Sequence, residues 1–187
     1  CLVGSEMCIR DRYYVYGYGK FQGSRTQLES AITLAYDTYG TVVDSNSKLV
    51  WKRYRSTQAS IDGIVPVTSG DSIVNAVAAV SNYLGADFNA VSYMEQGHTA
   101  VETFDNISGV HGIGLTGITY EKALSYVGDG SPVIARIGED EYIIITAYNS
   151  SEIAYIEAST GAQKTVSMNE AGKMFSQGGN IYVTYYK

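Results

Sequence analysis

Cysteine is nearly missing from this chain. Of 187 residues only Cys1 and Cys8 are cysteine, so residues 13–187 contain none. A disulfide framework, a thiolate metal site and a cysteine nucleophile are thereby excluded from that stretch. Proline is as scarce: Pro66 and Pro132 are the only two, and no proline-rich linker divides the chain. Long apolar runs are missing too. The stretch around Ile143–Ile145 falls far short of the roughly 20 residues needed to span a bilayer, so no membrane span is expected. Positive charge is in deficit, with 13 Lys and Arg against 19 Asp and Glu and a net charge of −6. Nucleic-acid binding wants a basic face. The one basic cluster, Lys52, Arg53 and Arg55 around Trp51 and Tyr54, is too short to supply it and reads as the outer face and end of a strand.

The first twelve residues, CLVGSEMCIRDR, read as foreign to the rest. Reverse-translated from Leu2 to Asp11 as CTC GTG GGC TCG GAG ATG TGT ATA AGA GAC, and continued with AG, they resemble the transposon-end adapter of sequencing libraries. Arg12 is then a hybrid codon. The alternative is a short, exposed, irregular tail. On the adapter reading the chain proper begins near Tyr13, a metagenomic fragment of a longer frame, and fold reasoning starts there. The balance does not change, because Arg10 and Arg12 leave together with Glu6 and Asp11. The remaining 175 residues suit one domain with a real core. Tyrosine (17) and glycine (20) are plentiful. This polar, β-prone composition points to an extracellular or cell-envelope bacterial protein.

Along the chain, YGYGKFQGS has the spacing GxGxxxG, wrong for a nucleotide-binding turn, and reads as a loop. Ser24 is expected to cap a helix to about Tyr39, with Leu28, Ile32, Ala35 and Tyr36 on one face and Gly40 as its stop. TVVD, Ser45-Asn46-Ser47 and KLVWKR read as a β-hairpin. A second helix is expected from Asp71 to about Leu84, capped by Asp71 or Ser72. Ile73, Val77, Val80 and Leu84 form its apolar stripe, and Ala76, Ala78 and Ala79 widen it, which marks a buried, central helix. A less regular helical stretch follows between Asn89 and Asn106, then a short helix, Tyr120 to Val127, capped by Thr119. Pro132–Ile137, Glu141–Tyr148 and Ile153–Glu157 read as strands. A helix from about Asn169 to Gln177 and a strand Ile181–Tyr186 close the chain. Helices followed by an antiparallel sheet make an α+β domain.

This order, with its motifs, resembles the papain-like cysteine peptidases, closest to the bacteriocin-processing peptidase domains of bacterial exporters. Ser72–Gly85, SIVNAVAAVSNYLG, is similar to the family pattern CGPxxxxMVLNYLG and puts Ser72 at the nucleophilic cysteine. EYIIITAYN, Glu141–Asn149, is similar to HWVVVTGYN and puts Glu141 at the histidine. EASTG is similar to DPxTG and puts Glu157 at the acidic third member. SPVIARIG and MNEAGKMFSQGGNIYVTYY also look like the family. The resemblance covers roughly residues 60–187. It implies a papain-like α+β fold, with a buried central helix packed on a C-terminal antiparallel sheet. Residues 13–59 then form a lead-in of helix and hairpin.

All three reactive positions depart from the pattern, so no intact catalytic set remains. Papain-type attack needs a thiolate whose pKa is lowered by an imidazolium and a helix N-terminus. A serine here has no imidazole to take its proton, and Glu141 is a weak base. The family's oxyanion-hole glutamine has only Gln58 as a candidate. The expectation is a catalytically inactive module of a larger secreted or surface protein, binding a peptide or a neighbouring protein domain in the former substrate cleft. One alternative is an active hydrolase using Ser72 with Glu141; another is a purely structural domain. More plainly, Ser72 is a helix N-cap or N1 residue, Asp140 and Glu141 are exposed turn residues, and Glu157 within AYIEA is solvated or has a buried partner.

His98 and His111 are the only histidines. His98 and Glu102 lie one helical turn apart, and with Asp105 they form the best metal candidate. An HExxH core is lacking, and the histidines read as surface or loop residues, so no metal or cofactor is expected. No GxSxG elbow supports a Ser–His–Asp triad.

Overall fold

The structure is a computed structural model and describes residues 12–53 and 56–187. The adapter-like segment, apart from Arg12, lies outside the described residues, as do Tyr54 and Arg55. The chain divides into two compact units, Cys1–Tyr54 and Arg55–Lys187.

The first unit contains β1 (Tyr13–Gly17), β2 (Lys20–Arg25), α1 (Leu28–Asp37), β3 (Thr41–Val43) and β4 (Leu49–Lys52). Its strands form an antiparallel sheet in the order β2-β1-β3-β4. Two expectations are corrected here. YGYGKFQGS is not a loop: it is a hairpin whose turn is Tyr18-Gly19, both at positive φ (50° and 74°). Ser24 is not a helix cap but pairs with Tyr14 inside β2, and α1 starts four residues later, with Gln27 as its N-cap. The physical reason is cross-strand. Tyr16 sits opposite Phe21 with ring centroids 5.6 Å apart, a pairing that local glycine content conceals. Gly40 is required by a close crossing, because a Cβ there would collide with the carbonyl oxygen of Tyr16.

Val15, Val42 and Trp51 lie in register across β1, β3 and β4, are all buried, and face α1. The helix buries Leu28, Ala31, Ile32 and Ala35. Each aliphatic or aromatic side chain so covered contributes about 1.5–3 kcal/mol. Arg53 is engaged within its own unit. Its guanidinium lies 4.1 and 3.9 Å from the ring centroids of Tyr36 and Tyr39 and donates to the Tyr36 carbonyl at 2.6 Å.

The second unit begins with β5 (Ala59–Ser60), α2 (Ser72–Tyr83), α3 (Ala90–Glu95) and α4 (Ala100–Asp105). It continues with β6 (His111–Thr116), α5 (Tyr120–Gly128), β7 (Val133–Arg136), β8 (Tyr142–Tyr148) and β9 (Glu152–Glu157), then β10 (Gln163–Ser167), α6 (Met168–Gln177) and β11 (Ile181–Tyr186). The antiparallel sheet runs β10-β9-β8-β7-β11-β6, and β5 pairs with the far end of β8. The expected α+β architecture is present, with a buried helix on an antiparallel sheet. From Asn75 to Ser81 every residue of α2 is buried, which the small side chains Ala76, Ala78 and Ala79 permit. Three strands lie where none was expected. β5 is two residues long, β10 is polar and lies at the sheet edge, and β6 (HGIGLT) is diluted by glycine. Gly112 of β6 allows α4 to pack close, since a Cβ there would strike the backbone of Val101. The irregular stretch resolves into α3 and α4. Asn89 caps the first, accepting from the Ser92 N–H, and Thr99 with Glu102 closes a capping box on the second.

Candidate functional site

Ser72 is the first residue of α2, after the N-cap Asp71. Its hydroxyl accepts a bond from the Tyr142 N–H at 2.9 Å and donates to the Tyr142 carbonyl at 3.3 Å. That main chain is where the β8–β9 ladder ends. The last paired residues are Ile143 and Glu157, and beyond them the Ala158 N–H still reaches the Tyr142 carbonyl at 3.1 Å. The reciprocal rung goes to two side chains of α2. Ser72 takes the Tyr142 N–H, and the Asn75 amide donates to the Ala158 carbonyl at 3.0 Å.

Asn75 was not singled out from the sequence. It is 2% exposed. Its Nδ2 also donates to the Gly70 carbonyl at 2.8 Å, and its Oδ1 accepts from the Gly70 N–H at 2.8 Å. A buried amide needs such partners, and here they tie the approach to α2 to the end of the sheet. The available signal was a lone asparagine in an otherwise apolar helical run.

Glu141 is exposed and closes the turn into β8. Its carbonyl accepts from the Ile137 N–H at 2.9 Å, and its carboxylate folds back beside Gly138. Glu157 ends β9, and its carboxylate accepts from the Lys164 ammonium at 2.8 Å and from the Thr160 hydroxyl at 2.5 Å. The Lys164 bond, then the Thr160 bond, holds this carboxyl below its ordinary value. Its partner is thus a half-exposed lysine on the neighbouring strand rather than a buried group.

The fold therefore brings the main chains of all three positions together: Ser72 on Tyr142, Glu141 just before it, and Glu157 opposite Ile143. It does not join their side chains. Among the described residues no hydrogen bond links any two of the three. Gln58 is corrected as an oxyanion donor. It precedes β5, which pairs with Ala147 and Tyr148, and the length of β8 at about 3.4 Å per residue puts roughly 20 Å between that end and Tyr142. Two cavities, of 390 and 510 Å³, lie at the same far end and share Ser60, Ala147, Ala154 and Thr165 in their walls.

The histidines are stacked on tyrosines. His98 lies flat on Tyr93, with centroids 3.8 Å apart, and His111 lies on Tyr186 at 4.9 Å. Glu102 accepts from the Thr99 N–H and hydroxyl, which hold its carboxyl below the ordinary value, and Asp105 accepts from the Gly112 N–H. Among the described residues no three His, Cys, Asp or Glu side chains are grouped to hold a metal ion.

A buried helix whose first residue meets the start of a strand in an antiparallel sheet is the papain-like α+β arrangement, and this chain has that fold. A solved structure of a presumed C39-like peptidase from Bacillus anthracis superposes on it with a TM-score of 0.57, over 71% of this chain and 98% of that one. At 11% sequence identity the likeness is one of fold. No family model matches the chain, and no curated protein matches it. Among the described residues no helix is long and apolar enough to cross a membrane.

Proposed function

We propose that the second unit is a catalytically inactive papain-like module that binds an extended peptide or a neighbouring domain beside the start of β8. The wider setting would be a larger secreted or surface protein. One observation carries the reading: the Ser72 hydroxyl donates its one proton to the Tyr142 carbonyl and accepts from the Tyr142 N–H. A nucleophilic serine needs a base to receive its proton. Here the proton points at a carbonyl oxygen, which cannot take it. Glu141 is turned toward Gly138, and the Glu157 charge is spent on Lys164 and Thr160. What the papain-like arrangement uses for chemistry, this chain uses to close a β-ladder.

The test is to incubate the full chain with a degenerate peptide library, following cleavage by mass spectrometry and binding by photo-crosslinking. Crosslinks near Tyr142 without cleavage support the reading. Cleavage that disappears in Ser72→Ala refutes it, as does the absence of any crosslink.

A further inference from the structure

Three segments of the second unit meet where α2 begins: the approach to the helix (66–72), the β7–β8 turn (136–142) and the β9–β10 turn (157–164). Ser72 holds the main chain of Tyr142, and Asn75 holds the carbonyl of Ala158. Gly161 lies so close to the approach that a Cβ there would press on Pro66 and touch the methyl of Thr68.

Their charge is one-sided. The three segments contain Asp71, Glu139, Asp140, Glu141 and Glu157, against Arg136 and Lys164 alone. Both cations are engaged. Lys164 pairs with Glu157, and the Arg136 Nε donates to the Gly138 carbonyl at 2.8 Å. Asp71, Glu139, Asp140 and Glu141 are exposed. Among the described residues none of these four side chains forms an ion pair. Like charges around one opening reinforce one another and draw in a cationic ligand.

Two observations decide the kind of cation. The carboxylates do not converge: among the described residues no three His, Cys, Asp or Glu side chains are grouped as a metal ion requires. The charge therefore suits several cations spaced along a ligand rather than a single ion. Secondly, the side chain of Asp71, the N-cap of α2, accepts no bond from the helix. The first N–H groups of α2 thus lack a side-chain acceptor. Beside four carboxylates, a neutral carbonyl can approach them where an anion is repelled. A polyamine carries cations but no acceptor, whereas a peptide rich in lysine or arginine carries both.

We propose that the peptide site beside the start of β8, on which this inference rests, selects an extended peptide rich in lysine and arginine. Its cationic side chains lie toward Asp71, Glu139, Asp140 and Glu141, and a main-chain carbonyl lies toward the first turn of α2. The experiment uses the full chain with labelled, photo-crosslinkable peptides of equal length, lysine-rich, serine-rich or glutamate-rich, and with spermine as competitor. The lysine-rich peptide should bind tightest, crosslink near Tyr142 and weaken as salt is raised. Glu139→Gln/Asp140→Asn/Glu141→Gln should weaken it roughly tenfold. Asp87→Asn/Glu95→Gln/Glu121→Gln removes the same charge outside these segments and should change it little. Both triple variants alter exposed side chains, and unchanged circular dichroism confirms that they fold. Serine-rich or glutamate-rich peptide crosslinked as strongly as lysine-rich overturns the proposal and leaves the peptide site standing. Equal weakening in the two triple variants also overturns it, as does displacement by spermine at the peptide's own concentration. Failure of every peptide to crosslink removes the peptide site itself, and this selectivity with it.

Discussion

Ser72 and Tyr142, seventy positions apart, are joined twice: the serine hydroxyl accepts from the tyrosine N–H at 2.9 Å and donates to its carbonyl at 3.3 Å. Beside them Asn75 holds the carbonyl of Ala158. The start of α2 is in this way sewn into the last rung of the β8–β9 ladder. The geometry separates a structural serine from a reactive one, and it makes several outcomes measurable.

Ser72→Ala should remove both bonds and leave the Tyr142 N–H without its partner, at a cost of about 1 kcal/mol. The urea midpoint should fall while the far-ultraviolet circular dichroism is unchanged, and peptide crosslinking near Tyr142 should persist. A stability equal to that of the parent chain would mean that the hydroxyl does not close the ladder.

Asn75→Ala should cost more. It leaves the buried Ala158 carbonyl without its partner and unties the N–H and carbonyl of the exposed Gly70, about 1–3 kcal/mol in all. Unfolding of the second unit followed by hydrogen exchange would show it, with the loss centred on residues 70–75 and on Ala158. An effect smaller than that of Ser72→Ala would contradict the arrangement described.

Glu157→Gln tests the Lys164 and Thr160 bonds through pH. The folded carboxyl lies below its ordinary value of 4.5, so its ionised form is favoured by folding. The stabilisation is complete above that value and is lost as pH falls through the folded pKa. The parent chain should therefore be the more stable at pH 7, and the difference should shrink as pH falls below 4.5 and through the folded pKa. A difference constant across that range would count against the ion pair.

Ser72→Cys, with Cys1 and Cys8 changed to serine, places a single thiol at the helix N-terminus, and alkylation by iodoacetamide reports its ionisation. Alone, its midpoint should fall below the ordinary thiol value of about 8.5, because the helix N-terminus favours the thiolate. Adding Glu141→His should move the midpoint lower, because an imidazolium on the residue before Tyr142 stabilises the thiolate. An unmoved midpoint would show that position 141 does not face position 72.

Much of the second unit was legible from pattern. The apolar run of α2, the isoleucines of β8 and the closing strand β11 carry their periodicity locally, so propensity and burial agree. β6 and β10 were hidden because one is diluted by glycine and the other is an exposed polar edge, and neither alternates as a half-buried strand should. In the first unit the glycines that suggested a loop are those that let a hairpin turn and two chain segments cross. Ser24 looked like a helix cap because serine suits both roles and only its partner Tyr14 decides between them.

By itself the sequence determined the α+β order, the absence of cysteine from residues 13–187, and the start of the central helix at Asp71 or Ser72, because each depends on residue type or on neighbours a few positions away. Tertiary structure decided what Ser72, Asn75 and Glu157 do. Their partners, Tyr142, Ala158 and Lys164, are supplied by strand pairing and by the docking of α2 on the sheet. A hydrogen bond depends on where a donor is placed in space, which short-range pattern does not encode.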